Sequence, residues 1–153
     1  MLHQKSKSKE SCQLLCGDEI MKQICKKENI RLIDVNLQEN FKYREASDKD
    51  YYINRSYYAG NNEIFLGIYD NKEFRFISFF HELGHCLSLK HLNYKYCSQF
   101  VYEIEAWHQG LKYARNLGIY FSDEALEWGY KEALTYIGWN KREVDNWKEN
   151  HSE

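Results

Sequence analysis

Phe79-Phe80-His81-Glu82-Leu83-Gly84-His85 is the stretch from which the rest of this chain can be read. It fits the pattern H-E-x-x-H. On a helix, His81 and His85 stand one turn apart, about 40° around the axis, so two imidazoles can point at one ion. Glu82 lies between them, within reach of a water held by that ion. A zinc ion with three protein ligands keeps a fourth position for water and lowers its pKa to about 7. Glu82 is then placed to act as the base, taking the proton as water attacks an amide and returning it to the leaving amine. A chain of this composition would contain the motif by chance only about 2% of the time. The flanks also read as a buried helix: Phe74 to Leu92 is strongly apolar, and Phe74, Ile77, Ser88 and Leu92 share a side with the two histidines.

Two histidines need a third ligand, and two candidates compete. His91 lies ten residues after His81, the spacing of the metzincin pattern H-E-x-x-H-x-x-G-x-x-H. In that pattern a glycine ends the helix so that the last histidine folds back, but here Ser88 occupies its place. The two methionines, Met1 and Met21, both precede the motif, so no Met-turn follows. The other candidate lies in Tyr102-Glu103-Ile104-Glu105-Ala106-Trp107. At about 100° per residue, Glu103 shares a face with Ala106, Trp107, Gly110, Ala114 and Leu117, whereas Glu105 points toward Gln109, Lys112 and Asn116. The first face is apolar and carries small residues that permit close approach to another helix. A carboxylate there is costly unless it meets a cation. Glu103 is the expected ligand; the alternatives are His91 and a Glu103 that merely carries surface charge beyond a helix end.

Working outward, Ile20, Met21 and Ile24 recur at helical spacing from Asp18, with Asn29 as a stop. Arg31 to Leu37 alternates, setting Leu32, Asp34 and Asn36 against Ile33, Val35 and Leu37, which suits a half-buried strand. Phe41 to Asp50 reads as loop. Tyr51 to Tyr58 and Glu63 to Tyr69 flank Ala59-Gly60-Asn61-Asn62 and form a hairpin. A helix over Phe100 to Asn116 ends at Gly118. Ser122 is an N-cap followed by Asp123 and Glu124, with Gly138 as the stop, and Lys141 to Glu149 forms a short last helix. Residues 1–11 read as a disordered basic lead-in, and residues 12–153 as a single domain.

Composition narrows the function classes. Of 153 residues, 43% are apolar and 29% charged, enough for a core beneath a solvated surface. The net charge is 21 − 23 = −2, so there is no basic field to hold nucleic acid. No apolar run approaches the roughly 20 residues that span a bilayer, and Cys12 to Cys16 is too short for a secretory core, so the expected setting is cytoplasmic. The five cysteines form no C-x-x-C pair and read as thiols.

The order of elements, with H-E-L-G-H at 81–85 and then Glu103-x-Glu105-Ala106 opening the next helix, resembles the ImmA/IrrE-type metallopeptidases, a gluzincin-like branch of the zincins. The resemblance spans about Asp18 to Leu117. It implies an α+β, zincin-like fold in which a small antiparallel sheet packs on the H-E-x-x-H helix and the helices after it. It also implies His81, His85 and Glu103 as zinc ligands and Glu82 as the catalytic base. Three features depart from the family. Trp107 stands where the family usually has Asn, His108-Gln-Gly-Leu-Lys-Tyr-Ala-Arg115 replaces an apolar run ending in proline, and no helix-turn-helix module flanks the matched stretch. The expected activity is zinc-dependent hydrolysis of a peptide bond in a cytoplasmic protein, such as a regulator or repressor of a phage or mobile element. The alternative is a zinc-holding, non-catalytic regulator-binding module of antirepressor type. The expected partner is a protein or peptide substrate, with neither nucleic acid nor membrane. His108, Tyr96, Tyr102 and Tyr113 are candidates to assist at the oxyanion, and Glu63 to Tyr69 is the expected strand edge for an extended substrate.

Overall fold

A chain without proline must end its helices by other means, and two ends in the computed structural model use the same one. The structure describes residues 17–35, 56–89 and 99–137. The lead-in at 1–11, Cys12, Cys16 and Cys97, the strand residues at 36–37 and 51–55, the loop at 41–50, Leu92, Gly138 and the last helix all lie outside the described residues. Helix α1, Gly17–Glu28, buries Met21, Ile24 and Cys25 and carries Asp18 and Glu19 in its first turn and Lys26 and Lys27 in its last, opposite to the helix dipole. It stops at Asn29, whose φ is 55°. The Ile30 amide then donates to the Cys25 carbonyl (2.8 Å) and the Asn29 amide to that of Lys26 (3.4 Å). This pairing satisfies two end carbonyls and brings Ile30 against Cys25 in the core. Helix α3, Gln99–Asn116, ends likewise at Gly118 (φ 76°), with the Ile119 amide on the Ala114 carbonyl and that of Gly118 on Arg115 (both 2.9 Å). Leu117, expected on the buried face, lies in this turn and is 49% exposed; Ile119 is buried in its place.

The sheet has three strands, β1 (Arg31–Asp34), β2 (Tyr57–Tyr58) and β3 (Glu63–Leu66), in the order β1-β3-β2. β2 and β3 form the hairpin, antiparallel, with Tyr57 opposite Phe65 and Tyr58 opposite Ile64. The turn between them takes Gly60, Asn61 and Asn62 at positive φ. β1 pairs with β3 in parallel, Arg31 opposite Glu63 and Asp34 opposite Leu66. The sheet is therefore mixed, which corrects the expected antiparallel one. Strand direction alternates along the chain, and inserting β3 between β1 and β2 sets two like directions side by side. The same insertion removes Glu63–Leu66 from the sheet edge, so the expected substrate edge is occupied on both sides. β1 also departs from simple alternation, because Ile33, Asp34 and Val35 are all buried. Arg75 explains this: its guanidinium bonds Asp34 on one side and Asp18 on the other (2.6 Å), tying β1 and α1 to the next helix.

That helix, α2 (Lys72–Ser88), is capped by Asn71, whose side-chain oxygen accepts from the amides of Glu73 (2.9 Å) and Phe74 (3.1 Å). Helix α4, Asp123–Ile137, starts at Ser122, whose hydroxyl oxygen accepts from the Ala125 amide (3.2 Å). Ser122 also donates its own amide to Glu73 on α2 (3.1 Å), so one residue caps α4 and fastens it to α2. Trp128 of α4 stacks on Phe74 and meets Tyr69 edge-on. Phe76, Phe79, Phe80 and Leu83 of α2 join Ile64 and Leu66 of the sheet and Ala114 and Ile119 of the α3 end in one core. The result is an α+β fold with α2 at its centre. Among the described residues, no helix is long and apolar enough to cross a membrane.

Candidate metal centre

α2 presents His81 and His85 on one face, and α3 brings Glu103 to them. His81 Nε2 lies 3.1 Å and His85 Nε2 3.2 Å from Glu103 Oε2, and the two nitrogens are 3.2 Å apart. The three atoms form a nearly equilateral triangle. A tetrahedral ion with bonds of about 2.0–2.1 Å spaces its donors about 3.3–3.4 Å apart, so the triangle fits one face of such a shell. Among the described residues, this group could hold a metal ion. Glu105 is half-buried on another side of α3 and takes no part in it. α2 runs helically through Ser88, the position where the metzincin pattern would break it. His91 and Tyr96 lie outside the described residues.

Backbone contact between the two helices makes the convergence possible. A Cβ added at Gly84 would lie 1.7 Å from the Ala106 carbonyl oxygen, and one added at Gly110 would lie 1.9 Å from that of Phe80. Each helix therefore supplies a bare position against which the other's main chain rests. The stripe of small residues on α3 was legible in the sequence; the matching role of Gly84, inside the motif itself, was not drawn from it.

The site's charges pull on one another. Burial pushes the Glu103 carboxyl up, but hydrogen bonds from His81 and His85 outweigh it and hold the group at about 2. Burial pulls His85 down, but the hydrogen bond to Glu103 and the negative charges of Glu82 and Glu103 raise it on balance. Glu82 is raised, first by burial and then by Glu103, against the two histidines and a backbone hydrogen bond from Tyr58. That last contact places β2 beside the expected base. The Ala59 amide bonds the Glu63 carbonyl (2.9 Å), so by alternation Tyr58 turns its own amide away from β3, toward Glu82. Behind Glu82, the Tyr69 hydroxyl is hydrogen-bonded to Ser56 Oγ (3.0 Å) and to Ser78, and burial carries it up to about 12. No sequence signal marked Tyr58, Tyr69 or Ser78.

Aromatic residues surround the ligands. The Trp107 ring stacks on His81 with centroids 4.3 Å apart at 24°, and Tyr102 lies on His85 at 4.3 Å and 35°. The outer nitrogens of both imidazoles, His81 Nδ1 and His85 Nδ1, are buried and find no hydrogen-bond partner among the described residues. Metal-binding histidines ordinarily donate that N–H to a carboxylate or carbonyl, which fixes the ring. Of the candidate oxyanion partners, Tyr102 is thus at the site and His108 is half-buried on α3. The Tyr113 hydroxyl is engaged by Glu28 of α1 at 3.0 Å. Comparison of the chain with protein-family models, curated proteins and solved structures returns no match.

Proposed function

We propose that this chain is a zincin-like zinc metallopeptidase, similar to the ImmA/IrrE type, that hydrolyses a peptide bond in a cytoplasmic protein. One observation carries the reading: His81 Nε2, His85 Nε2 and Glu103 Oε2 meet within 3.2 Å of one another, with Glu82 buried on the same helix. Two imidazoles and one carboxylate at tetrahedral spacing suit zinc and leave a coordination position for water. When bound, the ion supplies Lewis acidity toward the scissile carbonyl and a more acidic water.

The chain's own groups do the rest. Glu82 takes a proton from the attacking water and hands it to the departing amine. Its raised pKa favours the first of these transfers, because burial makes the carboxylate a stronger base and leaves it neutral once protonated. An extended substrate is read along the outer edge of β2, where the Tyr58 amide is held by Glu82 and its carbonyl points away from β3, in place of the β3 edge that the sheet consumes. Among the described residues, Cys25 and Cys86 are buried and form no disulfide, in keeping with a reducing compartment.

Metal analysis and a cleavage assay on three variants test this. Wild type should hold one zinc. Glu82→Gln should keep the zinc and lose turnover by orders of magnitude. Glu103→Ala should release the metal, and His91→Ala should not. Metal lost only in the His91 variant would overturn the ligand set. A biological effect that survives Glu82→Gln would make the chain a zinc-holding binding module.

A further inference from the structure

The metal centre proposed above rests on His81, and what holds that ring in place is unusual for a ligand. His81 Nδ1 is buried and has no hydrogen-bond partner among the described residues, so the common device for fixing a metal-binding imidazole is not found there. The Trp107 indole lies parallel against the ring instead, 4.3 Å between centroids. Among the described residues Trp107 has no polar anchor either, since its buried Nε1 is also without a hydrogen-bond partner there. The far end of the indole's benzo ring is located by α4. A Cβ added at Gly129 would come within 2.5 Å of Trp107 Cη2 and 3.0 Å of Cζ3. Gly129 thus leaves a slot of the indole's depth, and a contact path runs from α4 through Gly129 and Trp107 to His81.

We propose that Trp107 is a positioning residue of the metal centre, holding the His81 imidazole by stacking, and that Gly129 provides the room this requires. An aromatic face next to an imidazole also favours the ligated state electrostatically, because a bound cation draws positive charge onto the ring. Trp107 occupies the position next to Ala106 at the helix crossing, so the stack is built on the same rigid contact that delivers Glu103.

The test is zinc titration of the full chain against a chromophoric chelator, with the melting temperature of each zinc-free protein measured in parallel. Gly129→Ala keeps the indole but displaces it, and alanine is the better helix former. It should bind zinc at least about tenfold more weakly than wild type, the order expected for loss of a ligand's support. Its zinc-free melting temperature should shift only slightly, the helix propensity of alanine offsetting the crowding, whereas a purely structural role would lower the melting temperature and leave zinc affinity unchanged. Trp107→Leu should show the same weakening and Trp107→Phe should restore affinity close to wild type. Wild type that binds one zinc, with Gly129→Ala and Trp107→Leu matching it, would overturn the proposal while leaving the metal centre intact. Wild type that binds no zinc would overturn the metal centre and this inference together. If Trp107→Leu does not fold, Gly129→Ala decides alone.

Discussion

Glu103 is a carboxylate 7% exposed within an apolar helix face, tolerable only because two imidazoles answer it. This gives the metal-free protein a distinctive pH response. Folding lowers the Glu103 carboxyl from 4.5 to about 2, so its contribution to stability is present above the first value and is lost as pH falls toward the second. His85 moves oppositely. Raised from 6.5, it contributes fully below that value and its contribution fades as pH climbs through the folded one. In chelator-treated melts, wild type should exceed Glu103→Gln by the most near about pH 5.5, with the gap closing at both alkaline and strongly acidic pH. A gap that ignores pH would contradict the coupling. At this scale the sequence was most informative where spacing encodes geometry. A spacing of four between the histidines and a 100° step per residue on the next helix pick out His81, His85 and Glu103 without coordinates. Trp107 escaped because stacking depends on what faces a residue across the fold, and Gly129 on α4 gave no sign of what it faces.

At the scale of elements, the crossing of α2 and α3 sets the site. Gly84→Ala would force a methyl group against the Ala106 carbonyl, with main chain rather than a flexible side chain in the way. Overpacking of this kind costs about 3 kcal/mol or more, and separating the helices withdraws Glu103 from the histidines. Urea denaturation should show the loss of stability, and zinc content should fall with it. A stable, zinc-replete Gly84→Ala protein would disprove the close crossing. Helices were legible here because the 3.6-residue period repeats over several turns, and because Asn29, Gly118 and Ser122 mark ends chemically. The sheet was legible only in part. Alternation shows which side chains turn inward, but it does not show which neighbour a strand takes, so the parallel β1–β3 pairing could not be read from Arg31 to Asp34. Nor did it foretell that Asp34 would be buried, since its partner Arg75 lies 41 residues later.

For the molecule as a whole, α2 and α3 are joined both by backbone contact and by the ligands they share, so the bound ion should act as a staple across the core. Removing it should lower global stability by the binding free energy available at the working concentration, about 4 kcal/mol when free zinc exceeds the dissociation constant a thousandfold. Calorimetry with and without chelator measures this, and superimposable transitions would be incompatible with a zinc site linked to folding. One further consequence follows from the crossing. Glu103 and Gly110 stand 110 − 103 = 7 residues apart, close to two full turns, so the ligand and the bare contact point share a stripe. A single inserted or deleted residue between them would swing the carboxylate about 100° off the stripe while Gly110 stayed pinned. The length of this short interval is therefore frozen, and any natural or engineered variation in chain length that spares the site has to fall outside it.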